Sequence, residues 1–109
     1  MLNLDLKPAW LDIIRHILKI HLPEAEVIAY GSRVTGTAHD GSDLALVVRY
    51  RINPQSSVNK LNEVRDAFSE SNLPILIDIL DWSQIPESFR EEIERTGVVI
   101  FTNEVRKQE

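Results

Sequence analysis

Tyr30-Gly31-Ser32-Arg33-Val34-Thr35-Gly36-Thr37-Ala38-His39-Asp40-Gly41-Ser42-Asp43-Leu44-Ala45-Leu46-Val47-Val48 is the stretch that decides the fold. Its middle is a polar loop punctuated by glycines, and apolar runs flank it on both sides. The run from Glu26 to Tyr30 predicts a first strand and Leu44 to Tyr50 a second. A loop this long inside a compact domain usually carries function. Gly31 lets the backbone turn sharply and approach a ligand, and the amides after it, with the Ser32 hydroxyl, can cradle a phosphate. Asp43 stands at the mouth of the second strand, where a carboxylate can reach a metal ion.

Ahead of this stretch, Pro8 suits the first turn of a helix. Trp10, Ile13, Ile14, Ile17 and Leu18 recur at helical spacing up to about Leu22, and Pro23 stops the pattern. His16 and His21 lie in this helix without a partner at metal-ligand spacing and read as surface or half-buried residues. Beyond the second strand, a connector rich in Pro and Ser runs from Asn53 to Ser57. Ser56 or Ser57 caps a helix whose apolar stripe is Val58, Leu61, Val64 and Phe68. Ser71-Asn72-Leu73-Pro74 ends it.

Ile75 to Leu80 is a nearly continuous aliphatic run and predicts a third strand in the buried middle of the sheet. Asp78 interrupts it, on the same face as Leu76 and Leu80. A carboxylate buried there needs a cation, a metal or a proton. A salt bridge to an arginine, or an edge strand facing water, would serve equally well. Trp82-Ser83 leads into a last helix that begins near Ser83 or Ser88, with Phe89 and Ile93 inward and Glu87, Glu91, Glu92 and Glu94 outward. Gly97 is a natural helix stop. Val98 to Phe101 forms a final strand, and residues 102–109 a polar tail.

The 109 residues suit one domain, 1–109, large enough to bury a core without staples. There is no cysteine, which excludes disulfides and thiolate metal sites. No apolar run approaches a membrane span and the N-terminus lacks a signal-peptide layout, so the cytoplasm is the expected location. A net charge of -5 argues against direct nucleic acid binding through phosphate contacts, and permits docking on a basic partner.

Gly31-Ser32, about ten residues of loop and Ser42-Asp43-Leu44, followed by an acid on a later strand, resemble the signature of the polymerase-beta-like nucleotidyltransferases. The closest resemblance is to the minimal nucleotidyltransferase (MNT) antitoxins that pair with HEPN-domain ribonuclease toxins. The resemblance implies an α/β (α+β) nucleotidyltransferase fold, a mixed sheet packed against helices on one side. It also implies ATP as substrate and Mg2+ as cofactor, with transfer of AMP to a tyrosine of the HEPN toxin inside a hetero-oligomer. Gly31, Ser32 and Ser42 would then meet the nucleotide, with Arg33 as a phosphate contact, and Asp43 and Asp78 would hold metal. His39 and Asp40 share the loop without an assigned role. The family pattern continues as Asp-x-Asp, but here position 45, the place of the second Asp, is Ala45. Two aspartates one residue apart on a strand face the same way, so Ala45 removes one oxygen ligand and impairs transfer. With the flanking motif intact, Ala45 reads as a single replacement of Asp. Two alternatives stand beside the enzyme: an inactive antitoxin acting by binding alone, and a nucleotidyltransferase acting on a small molecule.

Overall fold

Four strands in the order β3-β2-β1-β4 form the sheet that carries everything else. The computed structural model describes residues 4–39, 41–50 and 57–102, with side chains from residue 60 onward in the last segment. The connector at 53–56, Asp40, the Val58 side chain and the tail at 103–109 lie outside the described residues. The elements are α1 (Pro8–His21), β1 (Ala25–Tyr30), α2 (Ser32–Thr35), β2 (Leu44–Tyr50), α3 (Ser57–Ser69), β3 (Ile77–Asp81), a 3-10 turn (Trp82–Gln84), α4 (Glu87–Thr96) and β4 (Val98–Phe101). β1 pairs antiparallel with both β2 and β4, and β2 pairs parallel with β3.

Pro8 starts α1, as its fixed φ and missing amide proton favour, and Leu11, Ile14 and Leu18 turn one stripe inward. They meet Val27 and Ala29 of β1, Leu44, Leu46 and Val48 of β2, and Leu61, Val64 and Phe68 of α3 in the main core. Full burial of a side chain such as Ile14 or Leu18 stabilises the fold by about 1.5–3 kcal/mol. The opposite sheet face carries a smaller cluster of Ile28, Val47, Ile85 and Ile93, with Tyr30, Leu80, Trp82 and Phe89 against it. The mixed sheet with helices is as the sequence implied. Packing is not confined to one side, because α4 covers part of the second face.

Three local expectations are corrected. β3 is an edge strand and not the middle of the sheet, and Asp78 is exposed. Its aliphatic run reflects alternation: Ile75, Ile77 and Ile79 pack toward the main core, while Leu76 is 72% exposed. α4 begins at Glu87 after Pro86, with no side-chain cap from Ser83 or Ser88. Ser83 instead donates from its amide and its hydroxyl to Asp81 Oδ1, both at 2.9 Å, which closes the 3-10 turn. The third concerns the loop after Gly31, which folds into the single helical turn α2. Gly31 at φ 88° and Gly36 at φ 89° bound that turn, a conformation that favours glycine.

Each edge strand has a carbonyl covered by an arginine from a helix. Arg15 Nε donates to Ile100 O at 2.8 Å, and Arg65 Nη2 to Ile79 O at 2.9 Å. Such covers blunt the tendency of sheet edges to recruit another strand. No helix among the described residues is long and apolar enough to cross a membrane.

Gly97 ends α4 at φ -72°, so close packing and not a left-handed turn demands glycine there. A Cβ would lie 2.5 Å from Ile93 O and 2.6 Å from Ile28 Cγ2. Gly97→Ala is expected to destabilise the protein by about 1–3 kcal/mol through overpacking, read from the shift in urea midpoint at unchanged slope.

Candidate active site

The register of three strands assembles the site. Tyr30 is the cross-strand partner of Ala45, and Ala45 is the partner of Asp78, so these three residues stand side by side. They lie on the face that also carries Val47 and Leu80, opposite α1 and α3. Asp43 precedes the fully buried Leu44, and the alternation of β2 carries Asp43 to the same side as Ala45. Gly31 closes one end: a Cβ built on it would lie 3.6 Å from the Ala45 Cβ. The structure thus brings Gly31, Ala45 and Asp78 together, with Asp43 just before the start of β2. Both aspartates are exposed, so water or a bound cation can reach them.

Ser32 is half-buried at the start of α2, directly after Gly31. Ser42 belongs to the loop's internal bonding, with its Oγ accepting from the His39 amide at 2.9 Å and its own amide donating to His39 O at 2.9 Å. His39 is exposed, and Asp40 lies outside the described residues. In the first helix, His16 is exposed and His21 Nδ1 lies 3.8 Å from Glu63 Oε1.

Arg33 is not placed as a phosphate contact. Its side chain is 4% exposed, and its guanidinium donates to Ser42 O from Nε (3.1 Å) and Nη2 (3.0 Å), to Asp5 O from Nη1 (2.8 Å) and to His39 O from Nη2 (3.4 Å). A buried guanidinium must have its donors satisfied, and backbone carbonyls do that here. Arginine next to a turn reads as exposed by residue type alone, which is why the sequence pointed elsewhere.

Tyr30 is the member of the site that the sequence did not single out. Its ring meets Phe89 edge-on, with centroids 5.3 Å apart at 87°. Burial pushes its phenol above the ordinary tyrosine value, and the Asp78 charge adds to the rise. Only the pairing register brings Tyr30 beside position 45.

A divalent cation that keeps water and takes one or two carboxylates together with phosphate oxygens fits Asp43 and Asp78. A cage of three acids does not fit, because Ala45 offers no oxygen, and no group of three metal-ligating residues occurs among the described residues. A cavity of about 320 Å³ lined by Asp5, Lys7, Trp10, Arg33, Pro74 and Ile75 contains neither aspartate, and its Trp10 and Ile75 pack with the main core.

This arrangement is that of a nucleotidyltransferase, and the model of the polymerase beta nucleotidyltransferase family matches residues 13–106. The chain belongs to that family, whose chemistry is nucleotidyl transfer. The "Probable protein adenylyltransferase MntA" of Haemophilus influenzae strain Rd is 41% identical over 102 residues, covering 94% of this chain and 88% of the relative. Among solved structures, a toxin-antitoxin crystal structure with AMP-PNP superposes with a TM-score of 0.57 at 17% identity, over 90% of this chain and 77% of that one. A mutant MntA-HpeT toxin-antitoxin gives 0.59 at 14% identity, with the same coverage. At these identities the superpositions establish the fold.

Asp78→Asn removes a negative charge facing Tyr30, so the phenol should ionise at lower pH than in the unmutated protein. Tyr50, raised by burial and then by Asp81 and Glu24, serves as the internal reference and should keep its titration. Carbon-13 chemical shifts of the two tyrosine rings across alkaline pH resolve both.

Proposed function

We propose that this chain is the antitoxin of a HEPN/MNT toxin-antitoxin pair. It is built to transfer AMP from ATP to a tyrosine of a HEPN-domain toxin, and it is impaired in that transfer by Ala45. The observation that carries the reading is the cross-strand row in which position 45 sits between Tyr30 and Asp78, with Gly31 at one end and Asp43 two residues away. The MntA relative, named as an adenylyltransferase, and the fold shared with toxin-antitoxin proteins support it.

In the reaction, the tyrosine oxygen forms a bond to the α-phosphorus of ATP, the bond from that phosphorus to the bridging oxygen breaks, and pyrophosphate leaves with the phenol proton passing to solvent. Gly31 and the turn opened by Ser32 receive the triphosphate, where close backbone approach is allowed. Asp43 and Asp78 would hold a Mg2+ ion, which would neutralise charge on the reacting phosphate. Arg33 and Ser42 shape the loop and do not grip the nucleotide. The toxin itself presents its tyrosine in a cytoplasmic hetero-oligomer.

Ala45 favours a second reading, in which the antitoxin silences its toxin by contact alone. One experiment separates the two. A HEPN-domain toxin co-purified with the chain is incubated with ATP and Mg2+, and its intact mass is compared for the Ala45 and Ala45→Asp proteins. The enzyme reading expects an AMP-sized mass increase with Ala45→Asp, at a rate about two orders of magnitude or more above the Ala45 protein, the scale on which a single group that stabilises developing charge acts. Binding and silencing by both proteins without any added mass would leave the contact reading and remove the enzyme.

A further inference from the structure

Asp43 is exposed, yet the backbone on both sides of it is fastened. On its C-terminal side, the Leu44 amide donates to Leu76 O at 3.0 Å, and the Leu44 side chain is fully buried. On its N-terminal side, the Ser42 carbonyl accepts from two nitrogens of Arg33, at 3.1 and 3.0 Å. Arg33 is held in turn. Its own carbonyl accepts from the Asp5 amide at 2.7 Å, its Nη1 donates to Asp5 O at 2.8 Å, and α2 fixes its backbone between two glycines with positive φ. The segment before α1, the turn α2, His39 and Ser42 therefore converge on one guanidinium.

We propose that Arg33 is a positioning residue: it fixes the Ser42-Asp43 peptide and thereby aims the Asp43 carboxylate at the nucleotide-bearing cation. The last part rests on the function proposed above. The chemistry suits arginine and no other side chain. A planar fork can place two parallel donors on one carbonyl and a third donor on another, whereas a lysine ammonium is a point charge without that geometry. Burying a guanidinium is costly unless its donors are met, and two of the donor nitrogens here converge on the peptide preceding the exposed acid. An exposed carboxylate loses freedom on binding a cation, and a backbone held on both sides lowers that loss.

The test uses the full chain carrying Ala45→Asp, with Arg33 intact, Arg33→Lys or Arg33→Ala. Binding of Mn2+ with AMP-PNP is measured by calorimetry, and amide signals are followed by NMR. Arg33→Lys is expected to keep the amide signals of β1 and β2, to alter those of residues 39–43, and to bind Mn2+ with AMP-PNP about 10–100-fold more weakly, the range seen when residues supporting metal ligands are removed. Arg33→Ala should show the same pattern more strongly. In the protein with Arg33 intact, the Arg33 Nε proton should exchange slowly with water, a readout that needs no variant to fold. A rapidly exchanging Nε proton overturns the proposal, as do unchanged signals at 39–43 in a folded Arg33→Lys. Undiminished Mn2+ and AMP-PNP affinity in Arg33→Lys overturns it as well. If the Arg33-intact protein binds no Mn2+ with AMP-PNP, the proposed function fails instead, and the exchange rate and the 39–43 signals alone decide whether Arg33 fixes the peptide.

Discussion

Strand register is the constraint on which the site depends. Val27 and Ala29, Leu44, Leu46 and Val48, and Ile79 are all buried on the face that α1 and α3 cover. A slip of one residue in any strand would turn those side chains away from α1 and α3, so burial of the core fixes the pairing. The pairing of Tyr30 with Ala45 and of Ala45 with Asp78 is then a by-product of hydrophobic burial on the other side of the sheet. The face that carries those three residues has its own smaller apolar cluster of Ile28, Val47, Ile85 and Ile93 beside them. α4 seals the rest of that face with Ile93 and Phe89, and Arg49 ties it down by bonding Glu26 and Glu94 while lying over the Trp82 ring at 4.6 Å.

The division of labour between the two faces also explains which polar groups are buried. Arg33 is the buried charged residue among those described, and it acts as a strut for the loop. Asp43 and Asp78, the proposed cation ligands, are exposed to water. Exposure makes their desolvation inexpensive when they stand empty, and the neighbouring strands keep them in place for a ligand. Ala45 lies at the centre of this layout. Its small side chain leaves the floor between Tyr30 and Asp78 without the oxygen that the family pattern puts there.

Much of the fold was legible because its local signals were strong. Pro8 and Pro23 bracket α1, β2 and β4 coincide with their apolar runs, and Leu61, Val64 and Phe68 line the buried face of α3. What escaped the sequence was set by pairing or by a few residues. α2 is a single turn, too short for any periodicity to show. The aliphatic run at 75–80 matches both a central strand and an edge strand with one helix-covered face, and only the sheet order tells them apart. The glycine, serine and aspartate motif marked where the site lies. That Arg33 faces inward, and that Tyr30 borders position 45, follow from contacts between segments far apart in sequence.

In the proposed function, the sheet face around Tyr30, Ala45 and Asp78 receives the nucleotide. A crystal structure of the chain with Mn2+ and AMP-PNP, recorded at a wavelength where manganese scatters anomalously, tests it most directly. The manganese peak is expected at the Asp43 and Asp78 carboxylates, with the triphosphate running toward Gly31 and Ser32. Nucleotide and metal seated in the cavity beside Trp10, or along the β4 edge, with the aspartates empty, would contradict it.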